Sequence, residues 1–140
     1  VISIVSTKIE LSHNKIARTR DLDELAAILF PANKNQQRVF LAIFIELKYA
    51  EHEFLSSLQP LCDKYDLSQR MLETVRSKMR RMGLIDHVSR FNQRHGYREG
   101  WVFSSRFGKS LEQLAGIAAS ARERKGAMQE QKDRGLFRFL

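Results

Sequence analysis

The sequence predicts a mainly helical chain with one small β-hairpin, an α+β fold. Three observations predict it. The stretch Leu61-Cys62-Asp63-Lys64-Tyr65-Asp66-Leu67-Ser68 reads as a short helix, a tight turn and the cap of a second helix. Leu72, Val75, Met79 and Met82 then recur at i, i+3, i+7 and i+10, one apolar helix face, and stop at Gly83. Beyond the glycine, 84–91 and 100–104 are rich in β-branched and aromatic residues and flank a polar tip, 92–99, too long for a tight turn.

The elements follow in order. Residues 1–11 alternate loosely and read as a tail or edge strand, and 12–20 as a polar, basic linker. Asp21 with Glu24 fits a capping box opening a helix that Pro31 ends. A helix over 36–50 is apolar nearly all round, so it belongs at the centre of the core. An effector pocket lined by Phe40 and Phe44 is the lesser reading of that stretch. Residues 53–55 suggest a short strand. Ser56 with Gln59 is a second capping-box pattern, and Pro60 fits the first turn of the helix it opens. Cys62 reads as a small packing residue where helices cross, and Ser68 as the cap of a helix over 69–82. Ser105 reads as the cap of a last helix reaching about Lys125, with Leu111, Leu114, Ala118 and Ala121 as a narrow stripe. The tail ends in Leu136-Phe137-Arg138-Phe139-Leu140, apolar enough to need a partner surface. The expected organisation is a tail over 1–20, a domain over 21–106, and a helix and tail over 107–140 suited to dimerisation.

The formal net charge is +8 over 140 residues, which favours an anionic partner. The excess is local. Residues 1–67 hold eight Lys/Arg against nine Asp/Glu, whereas 68–106 hold nine against three and 107–140 seven against four. The surplus begins where the second helix of the turn begins. Only one cysteine is present, so no intrachain disulfide can form, and a reducing, cytoplasmic setting is expected. The opening Val1-Ile2-Ser3-Ile4-Val5 is too short for a secretory leader and lacks a basic flank, and a first residue other than Met is compatible with residues upstream. The longest apolar run, 39–45, is far too short to span a bilayer, so no membrane association is expected.

On Leu61 to Ser68, then Thr74-Val75, then Met79 to Ile85, the chain resembles the winged helix-turn-helix transcription regulators of bacteria and archaea, in the broad MarR/PadR-like style. Phe103-Ser104-Ser105-Arg106-Phe107-Gly108-Lys109-Ser110-Leu111 adds to it, resembling the end of the second wing strand running into a final helix. The resemblance covers about residues 36–124; residues 1–20 and the tail lie outside it, and Asp66 stands where the family's turn usually has glycine. It implies a winged helix-turn-helix with a recognition helix (69–82) in the major groove and a wing (84–105) on backbone or minor groove, hence a regulator with double-stranded DNA as partner; the chain adds an N-terminal and a C-terminal helix, and the unpaired apolar helix and tail over 107–140 point to a homodimer.

Residue chemistry points the same way. Gln69, Arg70, Glu73 and Thr74 open the exposed face and would meet base edges, where Arg and Gln can bond bidentately. Ser68 and Ser77 belong to the same surface. Arg76, Lys78, Arg80 and Arg81 would meet phosphates, which position without specifying. Arg90, Arg94, His95 and Arg98 on the hairpin would reach the flanking backbone. Tyr97 and Phe91 are the few aromatics near the basic patch, too few to favour base stacking on single strands.

Other readings are weaker. A winged-helix module for protein–protein assembly needs no basic helix face. A plasmid or viral replication or partition protein, or an RNA binder, would share the charge. An enzyme is not expected: His13, His52, His87 and His95 show no metal-ligand spacing with each other or with Cys62, and no phosphate loop or nucleophile motif is present. No cofactor or metal is expected.

Overall fold

A computed structural model describes residues 6–93 and 96–139, and of Arg90 and Asn92 the backbone alone. The described residues are mainly helical with a small three-stranded antiparallel sheet. The chain divides into two compact units, Val1–Phe107 and Gly108–Leu140.

The first unit is built around α3 (Lys34–Lys48). Its stripe is wide, and Val39, Phe40, Ala42, Ile43 and Leu47 are all buried. The Asn33 side chain opens it by accepting the Gln36 N–H at 3.0 Å. The shorter α2 (Leu22–Leu29) buries Ala26 and Leu29 against it. Gln37, the one buried polar residue among those described, donates to the Phe30 carbonyl at 2.8 Å and so satisfies a group freed where α2 ends. Asp21 sits at the N-cap of α2 but its side chain accepts no cap hydrogen bond, so the expected capping box does not form. Phe30, Phe40, Phe44 and Phe103 follow one another at ring-centroid separations of 5.6, 5.5 and 5.0 Å. Phe40 and Phe44 thereby pack against neighbouring rings.

Within residues 12–20, expected to be a linker, α1 (His13–Arg18) is a short helix with no buried residue. Residues 6–11 form no strand; the Glu10 N–H donates to the Ile28 carbonyl at 2.9 Å, and Ile9 packs on the core.

Next, β1 (Phe54–Leu55) is the short strand the sequence suggests, and α4 (Pro60–Tyr65) starts on its proline. The hydroxyl before it belongs to Ser57, which accepts from the Gln59 N–H at 3.1 Å; Ser56 makes no such cap. Three bonds hold α4 to α3. Glu46 accepts from Lys64 at 2.6 Å and from the Tyr65 hydroxyl at 2.6 Å, and Arg38 donates to the Tyr65 carbonyl. The bond from Lys64, then that from Tyr65, holds the Glu46 carboxyl below its ordinary pKa despite partial burial.

The turn after α4 places Asp66 in the left-handed region (φ 53°, ψ 56°), which aspartate tolerates better than most residues. Ser68 then caps α5 (Gln69–Met82), its Oγ accepting the Met71 N–H at 3.1 Å. Leu72, Val75, Met79 and Met82 are buried, the expected face. Gly83 ends the helix at φ 87°, with its N–H on the Arg80 carbonyl and that of Leu84 on the Met79 carbonyl, a Schellman closure.

The hairpin is longer and tighter than its sequence suggests. β2 (Ile85–Asn92) pairs with β3 (Gly96–Phe103) from Ile85↔Phe103 to Asn92↔Gly96. The expected eight-residue tip is therefore mostly strand, and only 93–95 connect, with Gly96 at φ 74°. β1 joins the other edge of β3, giving the order β1-β3-β2. Glycine is required at position 100, where a Cβ would lie 2.5 Å from the Leu55 carbonyl oxygen and from the Phe54 ring.

α6 (Arg106–Ala121) runs out of the first unit, and Ser104, rather than Ser105, accepts the Arg106 N–H at 3.2 Å. In the second unit α6 ends four residues before Lys125, and Gly126 (φ 107°) separates it from α7 (Ala127–Gly135), a helix the sequence reading missed. A 3-10 turn, Leu136–Phe139, follows. The local pairs Gln129–Asp133 (2.9 Å) and Glu130–Arg134 (3.7 Å) sit at i, i+4 on α7 and support it.

Gly83→Ala tests how the end of α5 is fixed. A Cβ there would lie 2.8 Å from both Arg106 Cβ and Phe107 N, on a backbone already at positive φ. Denaturant unfolding should show a loss of about 2–4 kcal/mol. A change within about 0.5 kcal/mol would mean that this junction is looser than described.

Candidate nucleic-acid interface

The outward face of α5 begins at its cap. Ser68, Gln69, Arg70 and Glu73 are exposed, and Thr74 is half-buried. Gln69 Nε2 donates to Glu73 Oε1 at 3.2 Å, and the Thr74 hydroxyl donates to the Arg70 carbonyl at 2.9 Å. Both contacts are local and leave the Arg70 guanidinium free to reach outward. The end of α5 presents Ser77, Arg80 and Arg81.

Two basic residues expected at phosphates are occupied within the fold. Arg76 lies over the Trp101 ring, 5.1 Å from its centroid. Lys78 Nζ donates to Gln36 Oε1, 2.9 Å away, in the first turn of α3. Helix geometry explains both: position 76 is four after Leu72 and three before Met79, and 78 is three after Val75. Each flanks the buried stripe and lays its stem along the domain.

Arg106 and Asp86 were not among the expected interface residues, yet they organise this surface. Arg106 forms an ion pair with Asp86 through both carboxylate oxygens, and also donates to the carbonyls of Arg80 (3.1 Å) and Ile85 (3.5 Å). The bond from Arg106, helped by the Ser104 hydroxyl, holds the Asp86 carboxyl below its ordinary pKa against the opposing effect of burial. Asp86 in turn raises the pKa of Arg106. Ser77, Arg80, Arg81, Asp86 and Arg106 line an open cleft of about 530 Å³. Asp86 bonds Arg106 and also feels the charge of Arg80, and Arg81 is exposed at the same cleft. Part of the role of Arg80 and Arg81 is local, since two arginines in the last turn favour the helix dipole.

The hairpin sorts its residues by strand alternation. Arg90 and Arg98 are direct cross-strand partners on one face, and Arg98 is exposed. Phe91 and Tyr97 are partners on the other face. Arg94 and His95 lie outside the described residues. Asp86 and His87 face opposite ways, as strand neighbours must; His87 meets the Trp101 ring edge-on at 4.9 Å.

Elsewhere, Asp21, Asp23 and Glu24 bring carboxylates within 4.8 Å of one another, a spacing that could hold a cation. All three are exposed at the start of α2, where negative charge already complements the helix dipole. Cys62 is half-buried on α4 and packs against the core. Among the described residues no helix is long and apolar enough to cross a membrane. No family model matches the chain, and no similar curated protein or solved structure was found.

Asp86→Asn gives a pH test of the Arg106 bridge. The folded-state pKa of Asp86 is lowered, so its contribution is complete above the ordinary aspartate range, near pH 4, and is lost as pH falls through the folded value. The stability difference between wild type and Asp86→Asn should be full at neutral pH and shrink in acid. A difference independent of pH would assign the bridge no ionic role.

Proposed function

We propose that the first unit is a winged helix-turn-helix module that binds double-stranded DNA. In this reading α5 is the recognition helix in the major groove, the β2–β3 hairpin is the wing on the flanking backbone, and the protein regulates transcription as a homodimer. The observation that carries it is a coincidence of charge and exposure. The segment with nine basic and three acidic residues, 68–106, supplies the exposed face of α5, the Arg80/Arg81 cleft and the Arg90/Arg98 pair. Gln69, Arg70, Glu73 and Thr74 begin that face, where a helix end enters a groove and side chains reach base edges. Arg80, Arg81 and Arg98 supply phosphate contacts. Use of the same unit as an assembly module, or in replication or partition, remains the competing reading; the first would not need these cations, and the second would keep them.

Binding should be strongly salt-dependent. If about five phosphates are neutralised, the log–log slope of duplex affinity against salt is about −4 to −5. Arg70→Ala should cost about 1–3 kcal/mol on a preferred site and relax selection at one base pair. Arg81→Ala should weaken all duplexes alike, and Arg76→Ala should leave the slope unchanged, because Arg76 packs on Trp101. A flat salt response, or loss of affinity without change in sequence preference for Arg70→Ala, would count against the assignment.

The homodimer is proposed for the second unit and its helix. Leu114 is 53% and Ile117 58% exposed on α6, and Phe137 83% and Phe139 85% beyond α7. Each such side chain gains about 1.5–3 kcal/mol when buried, and a second copy presents the same stripe across a two-fold axis. Sedimentation at micromolar concentration should give a dimer for the full chain and a monomer for Leu114→Glu/Ile117→Glu. A monomeric wild type, or an unchanged dimer in the variant, would remove these residues from the interface.

A further inference from the structure

The β2–β3 hairpin carries the exposed Arg98 on one face and an exposed aromatic pair on the other. Phe91 is 77% and Tyr97 62% exposed, although they are direct cross-strand partners. Alternation puts them on the same side of the ribbon as Trp101 and His87. Trp101 carries Arg76 of α5 over its ring, so the aromatic face looks to the side of the sheet on which α5 lies. Tyr97 is also fixed in place. Its hydroxyl donates to Glu99 Oε1 at 2.6 Å and lies 2.8 Å from Ser89 Oγ. A ring held at its polar end has little rotamer freedom left to lose when something stacks on it.

We infer that the Phe91–Tyr97 pair is a stacking site for unpaired nucleobases adjoining the duplex held by α5, so that the preferred ligand is DNA with a junction between duplex and single strand. The inference rests on the reading of α5 as a duplex binder. The charge of the ribbon selects this occupant. Opposite the aromatic pair, Arg98 is exposed and Arg90 is its cross-strand partner. Of the nearby carboxylates, Asp86 is ion-paired with Arg106, and Glu99 accepts from the neutral Tyr97 hydroxyl on the aromatic face. A ribbon with aromatic rings on one face and the exposed Arg98 guanidinium on the other matches a strand whose bases and phosphates face different ways. Stacking of this kind tolerates any base, because every base has a π face.

The full-length protein is titrated with a blunt duplex, the same duplex carrying a short unpaired 5′ or 3′ tail, and the tail strand alone. 2-Aminopurine is placed at the first unpaired position. The tailed duplex should bind about five- to fifty-fold more tightly than the blunt one, with the probe's fluorescence changed by stacking. Phe91→Ala and Tyr97→Ala should each abolish most of that preference while leaving blunt-duplex affinity intact, and Arg98→Ala should weaken both ligands equally. Equal affinity of wild type for blunt and tailed duplexes would overturn the stacking site and leave duplex binding standing. A preference that survives both aromatic variants would overturn it as well. Failure of wild type to bind any of the three DNAs would overturn the stacking site together with the proposed function.

Discussion

The close approach of Arg106 to Gly83 is the constraint on which the proposed interface depends. Three elements meet there: the end of α5, the start of β2 and the start of α6. Gly83 permits the meeting because it has no side chain and adopts positive φ. Its carbonyl accepts the Phe107 N–H at 3.0 Å, and the Ser104 N–H returns to the Leu84 carbonyl at 2.9 Å. Arg106 then bonds to groups from α5 and β2 at once, through the Arg80 and Ile85 carbonyls and the Asp86 carboxylate. The hairpin is thereby set against the C-terminal end of α5, which fixes where Arg80 and Arg81 stand relative to the sheet.

Charge on this unit divides into groups that hold the fold and groups left for a ligand. Lys64 is spent on Glu46, Lys78 on Gln36, Arg76 on Trp101 and Arg106 on Asp86. Arg70, Arg81 and Arg98 are exposed. An inventory of basic residues along 68–106 therefore overstates the number that can meet phosphate, and the expected salt dependence is correspondingly shallower than the raw charge implies.

Much of the helical framework was legible because it follows from local chemistry. The α5 stripe, its Ser68 cap and its glycine stop all act within a few residues, and each occurs where its spacing placed it. Asp66 is left-handed at the turn position where the resemblance implies glycine. The hairpin length was not legible: Tyr97, Arg98 and Glu99 look like loop residues, and only pairing across the ribbon makes them strand. The two capping boxes failed because a matching residue pair does not compel its side chains to bond. In the candidate interface, Gln69, Arg70 and Glu73 fall on the exposed face as helical periodicity requires, whereas the occupation of Arg76 and Lys78 depends on Trp101 and Gln36, which are distant in sequence. Arg106 and Asp86 are twenty residues apart, and no short motif announces such a pair.

Backbone amide shift mapping during titration with a duplex tests the central claim most directly, because it reads every element at once and needs no substitution. If α5 enters the groove and the hairpin lies on the backbone, the largest shifts fall in residues 68–74, at Arg80 and Arg81, and along β2 and β3. The buried amides of α3 and the exposed face of α7 then stay in place. Shifts concentrated in α6 and α7, or none at a DNA excess in low salt, would contradict the account.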